Sequence, residues 1–495
     1  MNKEIALNKN IIVGKLGKPA SDFTKADIVK FITDEGIQMV NFMYPAADGR
    51  LKTLNFVIND LAYLETILTY GERVDGSSLF PFINAGSSDL YAIPRYRTAF
   101  VDPFAPVPTV SMLCSYFDKN GAPLESAPEH TLAKACRALR DATGLDFHAM
   151  GELEYYVIAP AVDQFPATDQ RGYHESAPFA KFNDFRVECM ALIAQAGGYI
   201  KYGHSEVGNF TQDGTIYEQN EIEFLPLPAE EAADQLLIAK WIIRNLANRR
   251  GLDITFAPKI TTGKAGSGLH IHMRLMRDGV NMMLNPDRTL SDDARRAIAG
   301  MMELAPSITA FGNKNPTSYL RLVPHQEAPT DVCWGVSNRT ALVRVPLGWT
   351  SGVDMSLIAN PLEKTDDSYN AGVKQTVEMR SPDGSANIHQ LMAALAVACR
   401  RGFEMENALQ VADDTFIDNN TDRSKFNSLP DCCVDSAQCL EDQRHVYEAQ
   451  GVFSPSMIDG IIDALREKND RGLRRCLNDN PEELKRLVKE YFYCG

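Results

Sequence analysis

The stretch Gly266-Ser267-Gly268-Leu269-His270-Ile271-His272 places two imidazoles two residues apart, directly after a glycine turn. Two further pairs repeat this spacing, Glu152-Leu153-Glu154 and Glu378-Met379-Arg380. Successive side chains of a β-strand point to opposite faces, so residues at positions i and i+2 share a face. We therefore expect strands that direct imidazoles, carboxylates and a guanidinium into one cavity.

Length and composition indicate an ordinary globular enzyme. The chain has 495 residues, which favours one small and one large domain over a single core. Its formal net charge of -15 opposes binding to nucleic acid phosphates, and no apolar run reaches the ~18 residues that a bilayer span needs. The first residues lack the pattern of a signal peptide. We expect a cytoplasmic protein with no nucleic acid and no membrane partner.

The pattern of apolar segments and turns divides the chain near residue 120. Short apolar segments from Ile28 to about Val110 predict a small mixed sheet. Pro128 and Glu129 are typical of the first turn of a helix, and an amphipathic pattern follows them. Strands rich in β-branched and aromatic residues then alternate with amphipathic helices. The expected domains are residues 25–120 and an α+β catalytic domain at residues 121–495.

The larger segment contains a set of strong ligands and a set of arginines. The ligands are Glu152, Glu154, Glu206, Glu221, His270 and Glu378. Five carboxylates do not share a pocket in ionised form without cations, and hard carboxylate oxygens suit Mg²⁺ or Mn²⁺. The arginines are Arg321, Arg339, Arg344 and Arg380, whose planar guanidinium groups match phosphoryl oxygens. Each pair alone is weak evidence for a metal site, because an E-x-E pair on a strand more often belongs to a solvated sheet face. Their joint occurrence predicts a metal and phosphate site without a P-loop.

Seven separated motifs, taken in chain order, resemble those of the glutamine synthetase family. They are Val74–Ser78, Gly151–Glu154, His204–Val207 with Gln219–Glu221, Gly266–His272, Asn315–Pro324 with Glu327–Pro329, Asn338-Arg339 and Glu378–Asp383. The resemblance runs from about residue 25 to the end of the sequence. It is closer to the bacterial class I type than to the short eukaryotic type.

The resemblance implies a fold, an assembly and a reaction. The fold is α+β, with a small N-terminal β-grasp domain and a large catalytic domain whose antiparallel sheet forms part of a barrel-like active site. The assembly is a homo-oligomer with active sites at subunit interfaces, a dodecamer or alternatively a hexamer. The reaction joins ammonia to the γ-carboxylate of L-glutamate with ATP as co-substrate, through γ-glutamyl phosphate. Its products are glutamine, ADP and phosphate.

Individual positions in the motifs imply individual roles. Two or more Mg²⁺ or Mn²⁺ ions are expected per site, one held by Glu154, Glu206 and Glu221 and another by Glu152, His270 and Glu378. The expected ATP contacts are His272, Arg339 and Arg344. The expected substrate contacts are Ser78, Tyr173, Gly266, Arg321 and Arg380. The expected catalytic residues are Asp75, Glu327 and Arg339, with Asp75 helping to deprotonate ammonium and Glu327 on a flap that excludes water.

Several departures from the family pattern leave alternatives open. Insertions are expected at residues 208–218 and 345–377, both beside the site. Ala265 stands where an asparagine is usual, and Thr376 stands where an arginine is common. These changes concern substrate shape, so a γ-glutamyl ligase for a polyamine or monoamine is the alternative enzyme. The alternative to an enzymatic function is that the chain is a catalytically silent relative of the family.

Overall fold

The computed structural model describes residues 3–83, 88–323, 328–348, 355–364, 374–418, 420–478 and 480–495. Two large hydrophobic cores organise these residues. The smaller core takes its buried side chains from the segment between Ile12 and Ala127. The larger core takes most of its side chains from Leu132 to Leu465, and Met43, Phe100 and Leu113 of the N-terminal segment pack into it.

The N-terminal segment forms a mixed sheet covered by helices. Its helices are α1 (Lys3–Leu7), α2 (Ile11–Leu16), α3 (Lys25–Asp34), α4 (Leu61–Tyr70) and α5 (Gly76–Leu79). Its strands are β1 (Met39–Pro45), β2 (Leu51–Val57), β3 (Glu72–Asp75), β4 (Asp89–Pro94), β5 (Phe100–Val101) and β6 (Thr109–Phe117). The strand order is β2-β1-β6-β4-β3, with β5 paired to β6. Among the described strands of this segment only β1 and β6 pair in parallel, so the predicted small mixed sheet is confirmed.

The remaining chain forms a larger sheet with a helical layer. Its strands are β7 (Asp146–Pro160), β8 (Ile200–Gln212), β9 (Thr215–Phe224), β10 (Leu227–Pro228), β11 (Asp253–Thr255), β12 (Leu269–Arg277), β13 (Val280–Asn281), β14 (Trp334–Val336), β15 (Val343–Val345) and β16 (Val377–Met379). Its helices are α6 (Pro128–Thr143), α7 (Asn183–Gln195), α8 (Ala229–Arg250), α9 (Asp292–Gly312), α10 (Pro316–Arg321), α11 (Met355–Ala359), α12 (Ile388–Glu404), α13 (Ala408–Asp414), α14 (Cys433–Glu448), α15 (Pro455–Arg466), α16 (Leu473–Asn478) and α17 (Pro481–Tyr491).

The main strand order of the larger sheet is β14-β15-β16-β12-β7-β9-β8. The pairs are antiparallel, as predicted, except that β14 and β15 run in parallel at one edge. That exception could not be predicted from the sequence pattern, because β14 and β15 are only three residues long each. The long central strands β7, β9 and β12 carry most of the predicted ligands.

The sheet register brings the predicted ligands into rows. On the central strand β7, Glu152 lies between His270 of β12 and Glu223 of β9. The neighbouring row along the same strands comprises Glu154 on β7, Glu221 on β9 and His204 on β8. Because both rows share one face, the pairs at i and i+2 converge as expected.

Close helix packing supports the back of this sheet. At Gly300 of α9, a Cβ atom would lie 1.9 Å from the carbonyl oxygen of Ala398 on α12. At Gly402 of α12, a Cβ atom would lie 1.8 Å from the carbonyl oxygen of Arg296. The two helices therefore touch backbone to backbone, and only glycine fits at either position.

A buried ion network joins the two parts of the chain. Asp234 on α8 accepts hydrogen bonds from Arg95 Nη1 at 2.7 Å and Arg97 Nη2 at 2.8 Å. His389 on α12 lies 3.1 Å from the same carboxylate. Burial alone would raise the pKa of Asp234, but Arg95, His389 and Arg97 together hold that pKa well below its usual range.

In the described ranges, no helix has the length and apolar character needed to span a bilayer.

Candidate active site

A cavity of about 800 Å³ opens over the ligand-bearing face of the larger sheet. Most of the predicted site residues line it, namely Glu152, Glu154, Tyr173, Glu206, Glu221, His270, His272, Arg339, Arg344, Glu378 and Arg380. An adjoining pocket of about 40 Å³ is lined by Gly266 and Arg321. The structure thus brings together residues from positions 152 to 380 of the chain.

The first ligand group consists of Glu152, His270 and Glu378. His270 Nδ1 lies 2.9 Å from Glu152 Oε2 and 3.6 Å from Glu378 Oε1. One donor atom from each of the three residues lies within 4.8 Å of the others. His272 Nε2 contacts the second oxygen of Glu152 at 2.8 Å, and its Nδ1 contacts Thr376 Oγ1 at 3.0 Å. Glu152 is therefore held by both imidazoles of the H-x-H pair.

The second group consists of His204, Glu206 and Glu221, whose donor atoms also lie within 4.8 Å of one another. His204 Nε2 lies 3.5 Å from Glu221 Oε1. The predicted ligand Glu154 stands beside this group in the cavity lining. Its Oε2 accepts hydrogen bonds from the backbone N–H of Gly268 at 2.8 Å and from Gln219 Nε2 at 2.9 Å. Glu154 is thus fixed against the glycine turn.

The carboxylates of the cavity perturb one another strongly. Burial and the negative charges of Glu152, Glu154 and Glu206 raise the pKa of Glu221 well above its usual range. Burial also acts to raise the pKa of Glu152, but His272 and His270 outweigh it and hold that pKa well below its usual range. Crowded buried carboxylates with one imidazole in reach are a donor set that fits a hard divalent cation. The residues present therefore fit the predicted metal.

Three arginines are held at the cavity by hydrogen bonds to fixed groups. Arg344 Nη1 donates to Glu378 Oε2 at 3.0 Å, and Arg380 Nε donates to Glu378 Oε1 at 3.0 Å. Arg321 Nη1 donates to the carbonyl oxygen of Ser381 at 2.8 Å, and its Nη2 lies 3.2 Å from His270 Nε2. These contacts leave each guanidinium oriented before a substrate arrives.

Arg339 also lines the cavity, where it faces Tyr173. Its guanidinium carbon is 6.0 Å from the centre of the Tyr173 ring, within the range of a cation–π contact. Burial acts to lower the pKa of Arg339, but a hydrogen bond with Tyr173 and the charges of Glu206 and Glu378 raise it. This side chain therefore remains a cation in the cavity.

The glycines of the turn before β12 are required by close packing. At Gly266, a Cβ atom would lie 2.5 Å from the carbonyl oxygen of Pro258. At Gly268, a Cβ atom would lie 2.5 Å from Arg321 Nη2 and 2.7 Å from His270 Nε2. The Gly-Ser-Gly sequence thus lets the backbone pass directly under the arginine and the imidazole.

Two predicted site residues that the structure describes, Asp75 and Ser78, line neither this cavity nor its adjoining pocket. Asp75 caps α5, and its carboxylate accepts hydrogen bonds from Ser78 Oγ at 2.7 Å and from Ser77 Oγ at 2.7 Å. Glu327, the predicted flap residue, lies outside the described residues.

The sequence reasoning missed two residues of the site. Glu223 on β9 is buried, pairs with Lys201 Nζ at 2.5 Å and lies close to Glu152 and His272. Its E-x-E spacing with Glu221 was the signal that could have found it. His204, the other omission, precedes Glu206 by two residues, which is again the i, i+2 spacing.

Residues 208–218, where an insertion is expected, form the outer part of a β-hairpin. It comprises the end of β8 and the start of β9, joined at Asp213 and Gly214, which both have positive φ. A register shift between Ser205 and Asn209 marks where this part of the hairpin leaves the cavity. The other expected insertion, residues 345–377, contains α11 and is described only in part.

Comparisons with known proteins agree with this geometry. Residues 36–119 match the family model described as glutamine synthetase, beta-Grasp domain, and residues 125–475 match the one described as glutamine synthetase, catalytic domain. The chain is 31% identical over 482 residues to a glutamine synthetase of Frankia alni, covering 90% of this chain and 91% of that one. It is 29% identical over 392 residues to a glutamine synthetase of Thermus thermophilus, covering 77% and 80%.

The fold also matches a solved structure. The cryo-EM structure of Plasmodium falciparum glutamine synthetase superposes with a TM-score of 0.74 at 18% identity, covering 91% of this chain and 97% of that one. The predicted fold class is confirmed: a β-grasp N-terminal domain and a mixed α/β catalytic domain whose curled sheet forms half a barrel.

Proposed function

Because the chain belongs to the glutamine synthetase family, we propose that it joins ammonia to the γ-carboxylate of L-glutamate with ATP, through γ-glutamyl phosphate. The observation that carries the proposal is the buried group of Glu152, His270 and Glu378 beside Arg344 and Arg380 in one cavity. This arrangement supplies a cation site and oriented guanidinium groups at the same place. Phosphoryl transfer to a carboxylate requires both.

The family uses ATP and divalent metal ions. The carboxylates of the cavity are suitable ligands for such metal ions. In our proposal, Glu152, His270 and Glu378 hold one ion, and Glu206 and Glu221 with Glu154 hold another. Mg²⁺ or Mn²⁺ at these places neutralises the carboxylates and polarises phosphoryl oxygens. His204, close to Glu206 and Glu221, is a further candidate ligand.

The arginines are proposed to position the two reacting groups. Arg339, Arg344 and His272 contact the phosphates of ATP, and Arg321 and Arg380 hold the substrate carboxylate. An oxygen of the glutamate γ-carboxylate then attacks the γ-phosphorus while the bond to the ADP oxygen breaks. Glu378 holds Arg344 and Arg380 in place by hydrogen bonds. The two guanidinium groups therefore stabilise the negative charge of the transferring phosphoryl group without first having to reorient.

In the second step, ammonia attacks the acyl carbon of γ-glutamyl phosphate, and phosphate leaves. We propose that Asp75, Ser78, Tyr173, Glu206 and Glu327 form the pocket that binds ammonium and helps to deprotonate it, and that Gly266 contacts the substrate. Hydrogen bonds from Ser78 and Ser77 hold the pKa of Asp75 well below its usual range. Asp75 is therefore an anion at neutral pH and attracts ammonium.

The placement of Asp75 favours a shared active site. Because Asp75 and Ser78 are absent from the described lining of the cavity, we propose that a neighbouring subunit supplies them. The assembly is then a homo-oligomer, a dodecamer or alternatively a hexamer, with no nucleic acid or membrane partner. We further propose a cytoplasmic location and a domain boundary near residue 120.

A larger amine is the second candidate acceptor. The rings of Tyr173, His174 and His204 contact one another, with centroids 4.1 to 5.6 Å apart, beside the carboxylates of Glu206 and Glu221. Aromatic faces next to carboxylates suit the head group of an organic ammonium ion. This observation favours a polyamine or monoamine over the catalytically silent alternative.

An isotope experiment tests the proposed intermediate. Glutamate labelled with ¹⁸O in the γ-carboxylate is incubated with enzyme, ATP, ammonium and Mg²⁺, and the released phosphate is examined by mass spectrometry. Attack by the carboxylate oxygen places the label in phosphate. Phosphate without label, at a rate equal to that of glutamine formation, contradicts the acyl phosphate route.

A further inference from the structure

Three cationic side chains converge where the N-terminal segment meets the catalytic segment. Lys240 and Arg244 come from α8, and Arg50 comes from the turn between β1 and β2. Together with Leu51 and Trp241 they line a cavity of about 120 Å³. This junction pocket lies outside the catalytic cavity, with which it shares no lining residue.

Carbonyl oxygens are the hydrogen-bond acceptors of these three side chains. Lys240 Nζ donates to the carbonyl of Gly384 at 2.7 Å, Arg244 Nη2 to that of Cys494 at 2.9 Å, and Arg50 Nη2 to that of Tyr493 at 2.6 Å. Within the described ranges, none of the three forms an ion pair with a carboxylate.

Two acidic side chains act on these cations through their charges, and each has other hydrogen-bond partners. Asp48 lies 2.7 Å from Lys52 Nζ and accepts a hydrogen bond from the backbone N–H of Arg50 at 3.0 Å. Asp383 accepts hydrogen bonds from Asn313 Nδ2 at 2.8 Å and from Ser385 Oγ at 2.6 Å. The junction pocket therefore carries an excess of positive charge.

Burial makes this excess unfavourable. Lys240 is 2% exposed, and an ammonium group has three N–H donors to satisfy. Burial, with the nearby charge of Arg244, lowers the pKa of Lys240 to about 7. A buried cation normally has a charged partner. An anion in the adjoining cavity would provide one.

We propose that the junction pocket binds a small oxyanion, of which inorganic phosphate is the representative. Two guanidinium groups and one ammonium group are the donors that phosphate sites use, since each guanidinium offers a planar pair of N–H groups. The walls of Leu51, Leu237 and Trp241 leave room for a small ion only. A carboxylate of a small organic acid shares this chemistry.

The bound anion would connect the two parts of the chain. Arg50 belongs to the N-terminal segment, whereas Lys240 bonds to Gly384, which follows the Glu378–Asp383 motif. A ligand that binds only the folded protein stabilises it in proportion to its occupancy. The inference does not depend on the proposed function.

Thermal unfolding in EDTA without nucleotide tests the proposal on the full chain. Inorganic phosphate is titrated against chloride at matched ionic strength, in the unaltered protein and in Arg50→Gln and Arg244→Gln. Arg249→Gln, which removes an exposed arginine of the same helix that contacts Pro103 and Phe104, is the matched control. A parallel series in an Arg344→Gln background removes a proposed phosphate contact of the catalytic cavity.

We expect phosphate to raise Tm saturably by a few degrees, with at least half of the shift lost in Arg50→Gln and Arg244→Gln. Arg249→Gln and the Arg344→Gln background keep the shift. A larger shift of Tm with sulfate than with acetate identifies a tetrahedral oxyanion as the ligand of the junction pocket. A larger shift with acetate identifies a carboxylate. A shift that follows ionic strength alone, persists in Arg50→Gln and Arg244→Gln, or disappears with Arg344→Gln overturns the proposal.

Discussion

Glu152 Oε2 and His270 Nδ1 lie 2.9 Å apart across the paired strands β7 and β12. The two residues are 118 positions apart in the sequence, yet the sheet register places them directly opposite each other. This contact joins the E-x-E and H-x-H motifs in one ligand group. The chemistry proposed for the chain depends on that group.

Removal of the shared carboxylate should therefore abolish metal-dependent chemistry. In Glu152→Gln, we expect phosphate release from ATP to fall about 100-fold or more, because even outer partners of a metal site contribute 10–100-fold. A titration with Mn²⁺ should show weaker binding in the same variant. Glu188→Gln, which removes a half-buried carboxylate of α7 that pairs with Arg250 outside the cavity, is the control and should retain both properties. Wild-type metal binding by Glu152→Gln would remove this residue from the metal site.

Mixed oligomers test whether the active site is shared between subunits. Asp75→Ala and Glu378→Gln should each be inactive alone. After the two variants are dissociated and reassembled together, about a quarter of the sites should regain both residues if Asp75 comes from a neighbouring subunit. Activity that stays at the level of the separate variants would mean that Asp75 and Glu378 serve the same subunit's site or no site.

The ion network at Asp234 should govern acid stability. Its pKa is lowered in the folded protein, so between that folded value and the usual aspartate pKa of 3.8 the unfolded chain binds more protons than the folded chain. The stability contribution of Asp234 is therefore present above pH 3.8 and is lost as the pH falls toward the folded pKa.

The variant Asp234→Asn removes this contribution. It leaves Arg95 without its charged partner and should lower the free energy of unfolding by about 3–5 kcal/mol at pH 7. Urea unfolding at several pH values from neutral to acid checks both effects. Asp34→Asn, which removes an exposed aspartate at the end of α3, is the control. An equal loss at pH 7 in both variants would contradict the role assigned to the network.

The contact between α9 and α12 should not tolerate a methyl group. Gly300→Ala would place Cβ 1.9 Å from the Ala398 carbonyl oxygen, so the helices must separate, at a cost of about 1–3 kcal/mol or more. Gly14→Ala in α2 is the matched control, because nothing lies within 4 Å of its Cβ position. It should be neutral or stabilising by up to ~1 kcal/mol, since alanine favours a helix. Thermal unfolding of both variants gives the comparison.

Side-chain alternation made the centre of the site predictable. The i, i+2 pairs identified Glu152, His270 and Glu378 before any strand was paired, because alternation is a property of the extended backbone itself. The same rule placed His270 and His272 on one face, and both contact Glu152. The mixed sheet and the helix α6 followed from turn residues and amphipathic periodicity.

Strand pairing and long-range ion pairs could not be predicted in the same way. The parallel pair of β14 and β15 and the contact of Arg95 with Asp234 depend on tertiary packing between distant segments. Glu223 was overlooked because its E-x-E spacing with Glu221 does not by itself separate a site residue from a solvated sheet face until the neighbour across the sheet, Glu152, is known. The ammonium-pocket roles of Asp75 and Glu327, and the limits of the two domains, stay predictions.

Comparison of amine acceptors distinguishes glutamine synthesis from the ligation of a larger amine. Phosphate release from ATP is measured with glutamate and Mg²⁺ or Mn²⁺, and with ammonium, ethylamine or putrescine at equal concentrations of free amine. We expect metal-dependent release that ammonium stimulates more than either amine, with glutamine as the product. Faster release with ethylamine or putrescine, accompanied by the corresponding γ-glutamylamide, would contradict glutamine synthesis as the activity of this chain.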